Sequence, residues 1–394
     1  MKRGWDWINP ICMCCLIFLG VTSIHSAQLS IHGTQWRSQL LWFAVGCGAY
    51  GCCARIHYRI FLRWAHWIYV LGIFGLVLLW SPLGVRRHGA LRWLSIFGLQ
   101  IQPAEAAKFS TIVMLSAILT GVKMSGLRES RMPLLRIFIA FFIPWALIFF
   151  QPDLGSALIL PPILLALLYI SDLSKRFFFH IFAVVILVFA TVIWDISRYR
   201  NFLDKNNLTP EQHAGLYQAH SWIPLRDYQR NRIIGFIAPE VVDPMGTGIS
   251  WNLRQSLISV GSGGLFGKGH GNGTQAQLGY LPKSVSTNDF LFSVLAEERG
   301  FFGSFFALTL LITLTFNTLR ISALAHDRFG RYLGVAIAIF FLMHLLVNIG
   351  MTIRLMPITG VPLPFLSYGG TFLSVCCVLQ GIVQSIYHRR QNFD

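Results

Sequence analysis

Apolar runs of roughly 18–25 residues, the length that crosses a bilayer as helix, recur from one end of the chain to the other. Ten are read, at roughly 8–27, 38–54, 60–80, 104–121, 133–150, 154–171, 176–196, 300–321, 330–352 and 366–387. The pattern predicts an all-α, polytopic membrane protein with a single transmembrane domain over 1–394. One segment breaks it. Residues 197–299, between the seventh and eighth runs, are polar and hold no long apolar stretch. Their last part, 254–298, reads RQSLISVGSGGLFGKGHGNGTQAQLGYLPKSVSTNDFLFSVLAEE and is the densest in glycine. Asp289 stands where polar loop gives way to apolar helix. A long polar loop in such a chain is where chemistry can meet water.

Composition agrees with this reading. The chain is 54% hydrophobic and 12% charged, about half the charge of a soluble protein. The net charge of +16 belongs to span flanks and lipid headgroups. No basic module interleaved with aromatics argues for nucleic acid. Cys12, Cys14, Cys15, Cys47, Cys52, Cys53, Cys376 and Cys377 all fall in apolar runs or at their ends. They lack the His partners and loop geometry of a zinc site and read as packing residues. The opening MKRGWDWINP imitates a signal peptide, but no small-residue cleavage site follows, so it reads as a retained first helix.

An even number of runs puts both termini on one side. Alternate segments carry Lys2 and Arg3; Arg55, Arg59 and Arg63; Lys123, Arg128, Arg131 and Arg136; Lys175 and Arg176; Arg320, Arg328 and Arg331; and Arg389 and Arg390. Short basic segments face the cytoplasm, so both termini are expected there. The segments 81–103, near Gln151, 197–299 and 353–365 then face outward. Between 197 and 288 nine Lys/Arg stand against five Asp/Glu. Long loops escape the orientation rule, and this excess suits an anionic lipid surface or an anionic substrate.

Several polar groups lie in or beside the spans. Glu105 and Lys108, three apart, share a helix face and can pair. They are either a structural ion pair or the lining of a polar cavity. Asp153, in QPDLGSAL, suits a helix N-cap. Glu297 and Glu298 lie about two turns beyond Asp289 and either support a site there or shape the approach to Gly300. The glycines Gly261, Gly263, Gly264, Gly267, Gly269, Gly271 and Gly273 allow either close backbone approach to a substrate or plain loop flexibility. GSGGLFGKG lacks the ending and the preceding strand of a nucleotide-binding loop. His270 alone does not make a metal site.

Four further segments accompany 254–298: GALRWLSIFGLQIQPAEAAK (89–108), QPDLGSAL (151–158), YQRNRIIGF (228–236) and PITGVPLPFLSYGG (357–370). With the ten spans they resemble the SEDS family, the shape, elongation, division and sporulation proteins, from about residue 35 to 388. GSGGLFGKG followed by GTQAQLGYLP is more similar to the rod-shape (RodA) branch than to the division (FtsW) branch.

The resemblance implies a peptidoglycan glycosyltransferase of the bacterial cytoplasmic (inner) membrane. It implies polymerisation of lipid II and a class B penicillin-binding protein as transpeptidase partner, beside other elongation-complex proteins. The family's essential aspartate matches Asp289, its fourth-span ion pair Glu105 and Lys108, and its QPD aspartate Asp153. The chain departs from the family with Ala104 in QPAE, Lys283 in LPK, a lead-in LPKSVSTNDF two residues longer and without histidine, and Arg354 where a small residue is common.

The implied reaction is one inverting displacement, with undecaprenyl diphosphate as leaving group. It needs a base for the acceptor hydroxyl and cations for the departing charge. Asp289 is the expected base; a role as ligand to a divalent cation, Mg or Mn, stays open beside it. Arg92, Arg230, Arg232, Arg254 and Lys268 are the candidate diphosphate-binding cations. No organic cofactor is expected. A lipid II flippase would also use ten spans with an intramembrane Glu105–Lys108 pair, and a non-catalytic scaffold is a third reading. The enzyme is favoured because the most specialised polar segment lies outside the membrane.

Overall fold

The computed structural model describes residues 4–87, 90–96, 99–122, 130–151, 153–171, 173–206, 217, 227–239, 243, 246, 248 and 250–390. Lys2, Arg3, Lys123, Arg128, Glu211, Arg226 and Glu240, which enter the charge pattern, lie outside the described residues. So do the side chains of Lys175, Asp204 and Lys283.

Helices occupy all ten predicted runs. They are α1 (Ile8–Ala27), α2 (Gln35–Arg55), a short α3 (Arg59–Arg63) leading into α4 (Ala65–Val77), α5 (Pro103–Thr120), α6 (Arg131–Phe150), α7 (Leu154–Tyr169) and α8 (Lys175–Asn206). The outer segment adds α9 (Asp227–Ile237), α10 (Trp251–Ser262) and two single turns, α11 (Thr274–Gln277) and α12 (Lys283–Ser286). The bundle closes with α13 (Leu291–Ala323), α14 (Arg328–Thr352) and α15 (Gly370–His388). Six of these helices are long and apolar enough to cross a membrane on those two criteria alone. The helix α5 carries Glu105 and Lys108, and α7 is short, so polar content and length set them apart.

Three details differ from the expected pattern. The helix α8 continues past 196 to Asn206. The helix α13 begins at Leu291, nine residues before the predicted span, and is broken at Gly300 (φ 64°, ψ −160°). The segment 81–103 forms a small antiparallel sheet beside the otherwise helical fold: β1 (Gly84–Arg87), β2 (Ala90–Ile96) and β3 (Leu99–Ile101), in the order β1-β2-β3. Within ALRWLSI, Leu94 is turned into protein while its neighbours Trp93 and Ser95 are half-buried. Pro103 then opens α5 at a position where its missing N–H is harmless.

One core joins α1, α4, α5, α6, α7, α13, α14 and α15. Close approach between helices uses small residues, as expected where lipid leaves no hydrophobic drive between them. A side chain at Gly72 of α4 would strike Ser110 of α5. Gly46 of α2 lies against Cys377 of α15, and Gly381 lies against the Tyr50 backbone and Cys53. Those cysteines are packing residues, and all eight are free. A separate cluster of Ile196, Tyr199, Leu203, Tyr217 and Ile234 joins α8 to α9. The helix α14 ends in a tight turn where Leu355 and Met356 both donate to Gly350. Arg354 takes φ 60° in that turn, a left-handed conformation that suits a small residue better.

Candidate active site

Asp289 lies between the turn α12 and the start of α13. Phe290, not Asp289, is the N-cap residue of α13, and no side chain caps that end. No hydrogen bond or ion pair reaches the Asp289 carboxylate among the described residues. The group is half-buried and desolvated by the protein around it. Desolvation pushes its carboxyl up to about 6; Arg232 and then Arg92 pull it back, and Asp153 pushes it further up. A carboxylate with that midpoint is mostly ionised at neutral pH and still basic enough to take a proton.

The segment 357–368 builds the wall beside it. A side chain at Gly360 (φ 74°) would come within 3.2 Å of Asp289 Oδ2, a tight approach at a left-handed backbone position that favours glycine. Asn348 of α14 donates from Nδ2 to the Asp289 carbonyl at 2.8 Å and to the Val361 carbonyl at 2.7 Å. Ser367 Oγ donates to the Asn288 carbonyl at 2.6 Å and accepts from the Leu363 N–H at 2.9 Å. The Tyr368 N–H donates to the Thr287 carbonyl at 3.0 Å. The longer lead-in through Thr287 and Asn288 is therefore laced to this segment by backbone bonds. A side chain at Gly155 of α7 would meet Thr359 and Val361, so the segment is clamped between α7 and α14.

Asp153 caps α7, accepting from the Ser156 N–H at 3.2 Å. It also accepts from Gln102 Nε2 at 3.2 Å and has Arg92 at 3.9 Å, which brings β2, α5 and α7 together. Glu105 and Lys108 pair at 2.8 Å, both fully buried. Phe340 and Phe372 pack against the ammonium, and His344 Nε2 lies 3.3 Å from it.

The five candidate cations separate. Arg92 and Arg232 act on Asp289 electrostatically. Arg230 is buried between Asp195 at 2.8 Å and Asp227 at 3.0 Å, which ties α8 to α9. Arg254 is exposed on α10, its guanidinium against the Gly246 backbone. Lys268 donates to Glu297 at 2.6 Å and to Thr274 at 2.9 Å.

That last contact belongs to a knot formed by the glycine-rich stretch. The N–H groups of Lys268 and Gly269 donate to the carbonyls of Glu297 and Glu298, each at 3.0 Å. Glu297 also accepts from Thr274 at 2.8 Å, and Glu298 accepts from Ser26 of α1. Gly267 (φ 81°) touches the Glu298 backbone with no room for a side chain. Burial, His25 and Arg299 hold His270 below its usual range, so its approach to Glu298 at 3.7 Å is that of a neutral ring. Glu297 and Glu298 thus anchor the loop at the Gly300 break.

The described residues include no group of three or more His, Cys, Asp or Glu able to hold a metal ion. Around Asp289 the charged groups are one more carboxylate and two guanidiniums, which do not fit a protein-built divalent site.

Sequence reasoning missed Gly360, Asn348, His344, Gln102 and Ser367. Asn348 and His344 carried a usable signal: two polar side chains four apart in an apolar span.

The cell cycle protein family of FtsW, RodA and SpoVE matches residues 6–392. The chain belongs to that family. The match begins well before residue 35, so the first helix is part of the shared fold. Peptidoglycan glycosyltransferase MrdB of Escherichia coli (strain K12) is 34% identical over 99% of this chain and 96% of its own length. Peptidoglycan glycosyltransferase RodA of Treponema pallidum is 28% identical over 98% of each. Among solved structures, a peptidoglycan synthase complex that coordinates polymerisation and crosslinking has a chain with TM-score 0.75, at 23% identity and 99% coverage of both chains. The crystal structure of Thermus thermophilus rod shape determining protein RodA gives 0.65 at 21% identity, over 99% of this chain and 98% of that one. The family's fold is thus a polytopic helical membrane protein, as here.

Proposed function

We propose that this peptidoglycan glycosyltransferase polymerises lipid II during cell-wall elongation, with Asp289 as the base. The single observation behind the chemistry is Asp289 itself: a half-buried, desolvated carboxylate left without a hydrogen bond among the described residues and flanked by Arg232 and Arg92.

In this reading the acceptor 4-hydroxyl oxygen forms a bond to the donor's anomeric carbon as the bond from that carbon to diphosphate breaks. The bonding pair leaves with undecaprenyl diphosphate, and the hydroxyl proton passes to Asp289. The stereochemistry inverts once. Arg92 and Arg232 offset the charge growing on the diphosphate. Arg230, closed off by Asp195 and Asp227, holds the helix that presents Arg232 two residues on. A Mg or Mn ion at the diphosphate would draw its ligands mainly from phosphate and water. Both termini are assigned to the cytoplasm of a bacterial inner-membrane protein, and a class B penicillin-binding protein is the assigned crosslinking partner.

The buried Glu105–Lys108 pair is closed in by Phe340, Phe372 and His344, which supports a structural anchor over the polar lining a flippase would use. The deciding experiment is extension of labelled lipid II by the purified protein with its partner, with and without divalent cation. Wild type should make glycan chains and Asp289→Ala should not. Full polymerisation by Asp289→Ala would sink the assignment, and transbilayer movement of lipid II without extension would favour a transporter.

A further inference from the structure

The apolar helix α14 buries two polar side chains one turn apart, His344 and Asn348. Neither enters the chemistry above, and polar groups at such depth are expensive unless they are used. Asn348 gives both amide hydrogens to carbonyls, one of Asp289 and one of Val361. Its Oδ1 is buried without a partner. A residue kept for packing alone would avoid that cost, so the amide is retained for its two donors.

His344 holds the next residue of the same loop. The Pro362 carbonyl can only accept, so the His344 nitrogen 3.0 Å from it, Nδ1, carries the hydrogen. Nε2 then has a free lone pair and accepts from the Lys108 ammonium at 3.3 Å. Phe340 and Phe372, with ring centroids 4.5 and 4.7 Å from the imidazole, fix its plane. Lys108 is held in turn by Glu105. The result is an unbroken series of bonds: Glu105 to Lys108 to His344, through the adjacent carbonyls of Pro362 and Val361 to Asn348, and on to the backbone of Asp289.

We propose that His344 and Asn348 are positioning residues of the glycosyl transfer. Asn348 sets where the Asp289 backbone lies against the 357–368 segment, and His344 locks that segment to the buried Lys108–Glu105 pair. This inference rests on the reading of Asp289 as the reacting carboxylate. It also makes the intramembrane ion pair a fixed anchor for the wall of the site, with no ion or substrate passing through it.

The test is steady-state extension of lipid II by the full chain with its partner. Asn348→Asp keeps the shape and removes both N–H donors. The kcat should fall about 10–100-fold, the size of effect a small misplacement causes. KM for lipid II should hold within about twofold. The acid limb of the pH–rate profile should also move, because Asp289 shifts relative to Arg232, Arg92 and Asp153. His344→Asn retains an N–H near the place of Nδ1 and should keep most activity, whereas His344→Leu should lose as much as Asn348→Asp. Equal activity of His344→Asn and His344→Leu would overturn the proposal. So would an Asn348→Asp enzyme with kcat and pH profile unchanged, or one whose activity falls only in step with its melting temperature. If Asn348→Asp does not fold, the two His344 variants decide alone. Asp289→Asn is run in parallel: if it stays fully active, the reading of the site has failed, and if it is dead while the His344 and Asn348 variants are normal, only this inference has.

Discussion

In the glycine-rich stretch 263–273 the peptide N–H groups of Gly267, Lys268, Gly269, Gly271 and Asn272 are occupied within the chain. Gly267 donates to Gly263, Lys268 and Gly269 to the carbonyls of Glu297 and Glu298, and Gly271 to Ser26. In the proline-punctuated segment 357–368 the carbonyls of Val361 and Pro362 are gripped from α14, and the bare backbone of Gly360 faces the Asp289 carboxylate. A phosphate cradle needs N–H groups left to point at the ligand. By that criterion the first region is a structural knot and the second is the wall of the site. Dense glycine reports close backbone approach, and here the approach at 263–273 is to the chain's own helix.

The comparison can be tested by its largest expected effect first. Asp289→Asn should lower lipid II polymerisation by about 10²–10⁴-fold, the usual contribution of a general base. The same variant should gain stability. The folded state raises this carboxyl from 3.8 to about 6 and so favours its protonated form. The stabilising contribution is complete below the unfolded value and is lost as pH rises through about 6. Asp289→Asn should therefore melt higher than wild type at pH 7.5 and show no gain at pH 3.

Next comes a pair of glycines, one from each region. Gly360→Ala places a methyl against Asp289 Oδ2 and should cut kcat about tenfold, since small displacements at a reacting group are costly. Gly267→Ala meets the Glu298 backbone instead and should lower the melting temperature while the folded fraction keeps its specific activity. Equal kinetic damage from both would erase the distinction between the regions.

A smaller effect separates the cations. Arg232 holds the Asp289 carboxyl down, so Arg232→Gln should move the acid limb of the pH–rate profile to higher pH and raise KM for lipid II. The smallest is expected at Lys268. If its contacts with Glu297 and Thr274 describe its role, Lys268→Met should leave KM unchanged and cost only a few degrees of melting temperature. A raised KM would return the knot to the substrate.

Much of the fold was legible because membrane spans advertise themselves by length and apolarity. The helices at 8–27, 133–150 and 330–352 follow the predicted runs closely. Asp153 and the Glu105–Lys108 pair were legible as charge placed where charge is expensive, and Asp289 as the aspartate where polar loop meets apolar helix. The sheet at 84–101 was missed because its alternation is short and interrupted, and a strand of three residues has almost no signal of its own. The roles of the cations were not legible, because whether an arginine faces a substrate or an aspartate depends on residues far away in sequence, as Arg230 and Asp195 show. Gly360 and Asn348 escaped for a related reason: one acts by lacking a side chain, and the other acts on backbone.

The break at Gly300 has one more consequence. An unbroken helix over Leu291–Ala323 would be roughly 50 Å long at about 1.5 Å per residue, far more than a hydrocarbon layer of about 30 Å. Residues 301–323 alone would rise roughly 34 Å and match that thickness. The nine residues before the break are relieved of spanning anything, so the bilayer acts as a ruler on the inner part only. Gly300 thus divides the helix into a length that matches the hydrocarbon layer and a short outer arm that leads back to Asp289.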